Sequence, residues 1–416
     1  MSLRGRNGRH EERVIMGESN TAVFGRFMSR LDAMDLKVFA DETPAEKRRF
    51  AFFPGRPYAG RHFYGEQGGG KAQLAFLRWA AKSRSEEYVT VYSDMAPEAW
   101  RQNGEFIKAF KEAVTALLKR GVRLKVIHNV ERPFGELMTE LEAWIPIYMT
   151  GNAEAYYLPD LQEPVFRHLL YTCKKSALAG ENVGQQEGGA VYYHTFRAKE
   201  AACYRNQAEH LLELAKPLVK VYRREQETAW LKQQAGLFAK KGDRRSVFTA
   251  PPLYTMSDEL LKEILRVNGV NDILARKIRN LTDISRKEME RILKEDSVFD
   301  RIHYVPEGKA GEEKVYLALD EILVEEPLPY TQELYRRHIK ELEQYRKKHQ
   351  NYNYVLSEEQ RFRNLQACVC EQSHLIVTRS NAPVVNLIFE NPQMLKAFEN
   401  YQRIQMETGR EAGDKG

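Results

Sequence analysis

Residues 88–129 read YVTVYSDMAPEAWRQNGEFIKAFKEAVTALLKRGVRLKVIHN, a stretch that spells strand, helix, strand. Val89 and Val91, with aromatics around them, form a β-branched run that stops at Ser93-Asp94. Phe106, Phe110, Val114, Leu117 and Leu118 then recur at three- and four-residue spacing, the stripe of an amphipathic helix. Arg120-Gly121 ends that helix with a cation near the carboxyl end of its dipole and a residue free to take positive φ. Val122, Leu124, Val126 and Ile127 make the second strand. Strands joined by a crossover helix lie parallel with a right-handed connection. Ligands of such sheets bind just past the carboxyl ends of the strands. Asp94 and His128-Asn129 occupy those ends, and that is where the sequence directs a search for function.

Working outward, a chain of 416 residues exceeds one ordinary core, so two or three domains are expected. Its 43% hydrophobic and 29% charged residues belong to a globular chain rather than a disordered one. No apolar run is long enough to span a bilayer. The opening MSLRGRNGRHEER lacks the apolar segment of a secretory signal, so a cytoplasmic location is expected. The net charge of +6 is small, and much of the excess falls in Lys216 to Arg245. That run reads as the solvated continuation of a long helix, Glu200 to Val221, entering a linker. Cys368 and Cys370 would share one face of a strand, and no second pair with zinc spacing follows either. The four cysteines therefore read as buried free thiols, with no metal and no cofactor implied.

The amino-terminal segment, 1–58, reads as partly disordered with one short helix within Thr21 to Val38. Gly65 to Ala72, GEQGGGKA, fits the first seven positions of the phosphate-binding pattern G-x-x-x-x-G-K-[ST]. It lacks the buried strand that should precede such a loop, and Ala72 lacks the hydroxyl that should follow Lys71. The plain expectation is a glycine-rich turn into a helix from Ala72 to Ala81. Ser257 to Asp296 is helical by pattern and is divided at Asn268-Gly269. Its balanced charge favours a packing hairpin over a helix-turn-helix DNA reader. Val315 to Val324 reads as a strand.

Two parts of the chain share a plan. Phe166-Arg167-His168-Leu169 opens a strand pair followed by a strand through Phe196 and a helix, and Phe362-Arg363-Asn364-Leu365 does the same before a strand through Phe389. A period this long points to two copies of one domain. With KRGVRLKVIHN closing the crossover helix, the chain resembles the phospholipase D superfamily, whose members have two similar halves facing a shared cleft. The resemblance implies an α/β fold with a catalytic H-x-K-x-x-x-x-D in each half, the histidine as nucleophile and the lysine holding phosphate charge. Here His168 is in place, but Leu170 stands at the lysine position and Lys175 at the aspartate position. In the second half the same frame gives Asn364 and Gln366. The resemblance is thus to a degenerate phospholipase D-like domain. Ile127 to Gly151, IHNVERPFGELMTELEAWIPIYMTG, further resembles uncharacterised regulator-like proteins of clostridial (Firmicutes) bacteria, many of which begin with a DNA-binding domain. Residues 1–58 are too short and too poor in helical pattern to hold a complete helix-turn-helix, so direct DNA binding is not expected of this chain.

The expected architecture is a first α/β lobe over 59–240, a helical connector over 241–310, a second α/β lobe over 311–408 and a tail over 409–416. Asp94, His128, Asn129, Arg132, His168 and Asn364 are the ligand-binding candidates, none of them assigned a catalytic role. Against that, Asn129 would equally cap a helix from Pro133, and His128 and His168 would equally be packed histidines. The expected function is a non-enzymatic sensor or regulatory protein, linked to transcription, that binds a small ligand or protein partner in the cleft between lobes. A homodimer is compatible with the sequence. The alternative is an enzyme acting on phosphodiesters or nucleotides through His128 and His168 or the Gly65 to Ala72 loop.

Overall fold

The computed structural model describes residues 19–34, 60–83, 87–95, 104–130, 133–159, 165–184, 189–306, 314–319, 327–358, 362, 364–379 and 384–401. Helix α1 (Asn20–Ala33) is followed by β1 (Gly60–Tyr64), α2 (Gly65–Lys82), β2 (Tyr88–Ser93), α3 (Gly104–Leu118), β3 (Arg123–His128), α4 (Phe134–Tyr148) and β4 (Ala153–Tyr157). Strands β5 (Phe166–Thr172), β6 (Ala177–Val183) and β7 (Val191–Thr195) then lead to α5 (Ala198–Leu214). The chain continues through β8 (Lys216–Arg223), α6 (Glu227–Phe238), β9 (Arg244–Phe248), α7 (Asp258–Val267), α8 (Asp272–Ile292), β10 (Val298–His303), α9 (Gln332–Lys348) and β11 (Tyr352–Ser357). It ends with β12 (Leu365–Cys370), β13 (His374–Arg379), β14 (Val385–Phe389) and a helix over 392–401.

The described strands form one sheet in the order β1-β7-β6-β5-β2-β3-β4-β8-β14-β13-β12-β9-β10-β11. Cut between β4 and β8, this order is one seven-stranded pattern written twice. In each unit three strands joined by crossover helices lie parallel (β2, β3 and β4; β9, β10 and β11). An antiparallel meander then runs back beside the first of them. The units meet edge to edge where β8 pairs antiparallel with β4, Ala155 opposite Val219, with the register shifting after Ala155. Because that pairing is antiparallel, the second unit is turned over. Its crossover helices α8 and α9 pack on Val298 and Ile302, on the sheet face opposite the one where α3 and α4 pack on Val89, Val91 and Val126.

Helix α1 fastens the seam. Ser19 caps it by accepting a hydrogen bond from the Ala22 amide. Phe24, Phe27, Met28 and Leu31 enter the large core shared by both units, with Phe24 edge-on to Phe398 at 5.5 Å. Its polar side reaches both units as well: Arg30 pairs with Glu142 of α4, and Asp32 accepts from the Asn364 amide at 2.7 Å.

Several expectations need correction. The stretch 241–310 is not a helical connector, since it holds β9 and β10, two of the parallel strands of the second unit. The long helix expected over Glu200 to Val221 stops at Leu214, and Lys216–Arg223 is the strand that joins the units. Pro217 is the physical reason, because the residue before a proline is driven out of the helical region. Gly65 to Ala72 is not a turn but the first two turns of α2. A Cβ on Gly69 would lie 2.6 Å from the Tyr192 hydroxyl, and one on Gly70 3.0 Å from the Phe106 ring. These glycines let α2 lie close to β7 and α3, and that packing outweighs their poor helix propensity. Of the strand expected over Val315 to Val324, the described part forms only a bridge between Tyr316 and Pro329. Ser257 to Asp296 is the expected helical hairpin, turning at Gly269 with φ of +64°. Cys203 is exposed rather than buried. Residues 1–18 and the tail over 409–416 lie outside the described residues.

Candidate ligand-binding site

The strand ends singled out by the sequence hold a cluster of structural side chains. The buried Asp94 accepts hydrogen bonds from the His168 backbone amide and, at 3.1 Å, from the Tyr92 hydroxyl. Its own amide donates to the His168 carbonyl, and Arg167 donates to its carbonyl at 3.0 Å. Asp94 therefore locks β5 onto β2. His128 is 1% exposed, with Nδ1 2.9 Å from Glu140 and Nε2 against the Tyr148 hydroxyl, so both ring nitrogens are taken by α4. Burial, aided by Glu140, holds the Tyr148 hydroxyl well above its ordinary pKa, so it stays a donor. Asn129 is buried beside His128. The His168 side chain is exposed, opposite Glu181 in the strand register, while Leu170 on the same face is buried under α5. Arg132 lies outside the described residues.

Asn364 does not join this group. Six strands lie between β5 and β12, and seven steps of about 4.8 Å place them roughly 34 Å apart along the sheet. Nor is Asn364 the counterpart of His168. Matching the units by strand register and by the face their crossover helices cover pairs His168 with Leu365. A slip of one residue turns a side chain to the other face.

A cavity of about 430 Å³ lies instead inside the second unit, between the sheet and helices α6 and α8. Its roof is apolar, including Trp230, Phe238, Ile278 and Met289, while Ser246, Gln366, Cys368 and Thr378 line the sheet side. In the strand register, Ser246 stands between Asp300 on β10 and Cys368 on β12. The equivalent place in the first unit is apolar, with Val91 between Val126 and Tyr171. There Phe76, Phe106 and Phe110 fill the space below the helices.

Asp300 is fully buried. Tyr254 and Tyr352 both donate to its Oδ2, Tyr352 at 2.7 Å, and Ser246 also bonds to the carboxyl. Its Oδ1 has no hydrogen-bond partner among the described residues. Burial pushes its pKa up to about 6 against the pull of those three hydroxyls. Burial likewise raises the Cys368 thiol to about 11, which keeps it protonated and unreactive. Arg244, 3% exposed, is already engaged: its guanidinium donates to the carbonyls of Phe238, Lys240 and Gly242 and stands 3.9 Å from Asp296. Sequence reasoning did not single out Ser246 or Asp300, and it took Cys368 only as a buried free thiol. A signal was present in VFDRIH, where the strand alternation of Val298 and Ile302 turns an aspartate inward. Among the described residues no cluster of three or more His, Cys, Asp or Glu side chains is placed to hold a metal ion, and no helix is long and apolar enough to cross a membrane.

No family model matches the chain, and no curated protein matches it in sequence. Solved structures are similar at the level of fold. TrmBL2, an archaeal chromatin protein whose structure shows a novel mode of DNA binding, matches 40% of this chain and 56% of its own length at 13% identity and a TM-score of 0.28. Polyphosphate kinase from Porphyromonas gingivalis matches 83% of this chain and 50% of its own, at 9% identity and a TM-score of 0.27. The match thus spans about half the length of each of these two proteins. Nuc from Salmonella typhimurium, a phospholipase D family member, matches 38% of this chain and 96% of its own, at 14% identity and a TM-score of 0.27. The chain has a mixed α/β fold with a large mixed sheet, structurally similar to phospholipase D-like domains.

Proposed function

We propose that this chain is a small-molecule-binding protein, a sensor or regulator built on a duplicated phospholipase D-like scaffold, with its ligand site inside the second unit. The supporting observation is the cavity of about 430 Å³, a volume typical of sites for small organic ligands, between the sheet and helices α6 and α8. Apolar walls supply affinity, and the hydroxyl, amide and thiol groups on the sheet side supply orientation. On this reading the ligand sits within a unit rather than in a cleft between the two. The phosphodiesterase alternative has little to work with, since His168 lacks a lysine and an acid at the family spacing and Leu365 is its counterpart. The nucleotide alternative fares no better, because Lys71 projects from a regular helix.

The test is a thermal-shift screen of small, mostly apolar compounds against the full chain and a Thr282→Phe variant. Thr282 lines the cavity and its hydroxyl bonds only within α8, to the Ile278 carbonyl at 2.9 Å, so the ring should fill space without stranding a partner. A ligand at one hundred times its Kd stabilises the folded state by about 2.7 kcal/mol. Compounds that raise Tm of the natural chain and not of Thr282→Phe support the reading. Equal shifts in both proteins, or none in either, would sink it.

A further inference from the structure

We infer that the cavity selects a protonated amine carried on a small apolar body, with Asp300 as its counter-charge; this rests on reading the cavity as a ligand site. Asp300 sits directly behind the cavity wall, since Ser246 and Tyr254 both line the cavity and both bond to its carboxyl. Its Oδ1 is buried and has no hydrogen-bond partner among the described residues, and no described lysine, arginine or histidine forms an ion pair with it. A buried carboxylate left so is costly unless something compensates it. The fold does not demand it, because the equivalent position in the first unit is Val126.

Among the described residues that line the cavity the one cation, Arg244, is committed to three carbonyls and Asp296. An anionic ligand would thus face Asp300 with no cation to receive it, and a neutral one would leave the carboxylate uncompensated. An ammonium group against the Ser246 and Tyr254 hydroxyls would supply the missing counter-charge from the cavity side. The rings of Trp230, Phe238, Phe248 and Tyr254 in the wall add faces that attract a cation.

The experiment uses three molecules on one scaffold, naphthylmethylamine, naphthylmethanol and naphthoic acid, titrated at pH 7.5 into the full chain, Asp300→Asn and Thr282→Phe. The amine is expected to bind at least tenfold more tightly than the alcohol, and Asp300→Asn to lose that preference while binding the alcohol unchanged. A preference that survives in Asp300→Asn overturns the inference. So does an alcohol or acid that binds as well as the amine, but if its binding is lost in Thr282→Phe the cavity reading stands. If none of the three binds, both fail.

Should Asp300→Asn not fold, the pH profile of the natural chain decides. The groups facing Asp300 are Ser246 and Arg244 of β9, Tyr254 of the turn before α7, Tyr345 of α9, Tyr352 of β11 and Cys368 of β12. Those tyrosines and the thiol are held above their ordinary range by burial. His349, against Tyr345 at 4.3 Å, is held below its own. The amine's advantage over the alcohol should therefore fade from pH 7 to pH 5, and an advantage constant across that range contradicts the inference.

Discussion

In the first unit Val91 lies between Val126 and Tyr171; in the second, at the same register, Ser246 lies between Asp300 and Cys368. The helices differ in the same sense. Helix α3 presents Phe106 and Phe110 to its sheet, whereas α8 presents Ile278, Thr282 and Met289. One frame thus carries a filled core and a hollow one. Strand order and pairing fix the backbone in both, and filling is a separate property set by side-chain volume across the layer. A hollow, partly polar core is a stability cost that a purely structural domain has no reason to retain.

The sharpest way to break this comparison is to hollow the filled core. Phe76→Ala, at a fully buried position on α2, should destabilise the protein by about 3–5 kcal/mol in urea unfolding. A loss below about 1 kcal/mol would mean that the first core is not closely packed.

The second difference is electrostatic. The folded-state pKa of Asp300, about 6, lies above the 3.8 of an ordinary aspartate, so the folded state holds this proton more tightly. Its contribution to stability is therefore present below pH 3.8 and lost as pH rises through 6, a span of about two units or on the order of 3 kcal/mol. Asp300→Asn should raise stability at pH 7 and remove that slope. His338, held near 3 by burial, acts the other way, its contribution being present above pH 6.5 and lost as pH falls through about 3. The difference between natural chain and variant, measured across pH 3.5–7, isolates Asp300.

Adding bulk should separate the two cores by sign. Ala113→Phe on α3 overpacks the first and should cost about 1–3 kcal/mol, while Thr282→Phe on α8 should stabilise by about 1 kcal/mol through the apolar area it buries. Equal costs would contradict the contrast. Least of all, Lys71→Ala on the exposed side of α2 should change stability by less than about 0.5 kcal/mol. A loss of nucleotide turnover in that variant would reopen the phosphate-loop reading.

Much of this fold was legible in the chain. The β-branched run around Val89 and Val91 and the stripe from Phe106 to Leu117 gave β2, α3 and β3, because α3 turns one side to the core and β2 is buried on both faces. The duplication showed in the Phe-Arg pairs at the start of β5 and in the sequence just ahead of β12, although the register is offset by one residue from that match. Strand β8 was missed despite Pro217, since charged residues on both sides imitate a helix surface. Helix α2 was misplaced because Gly68 to Gly70 have poor helix propensity, and the close approach of Tyr192 to Gly69 and of Phe106 to Gly70 is not visible in local pattern. The polar residues first chosen for a site sit at real strand ends, where Asp94 and His128 tie elements together. The cavity was out of reach of local pattern, because it depends on which side chains from α6 and α8 meet β9, β12 and β13 across the layer.

The most direct test of the contrast between the cores is a crystal of the full chain pressurised with xenon, which occupies apolar cavities and not close-packed interiors. Xenon should appear between α6, α8 and the β9–β12–β13 floor, with none between α2, α3 and β2–β5. Xenon absent from the second unit, or present equally in both, would contradict the account.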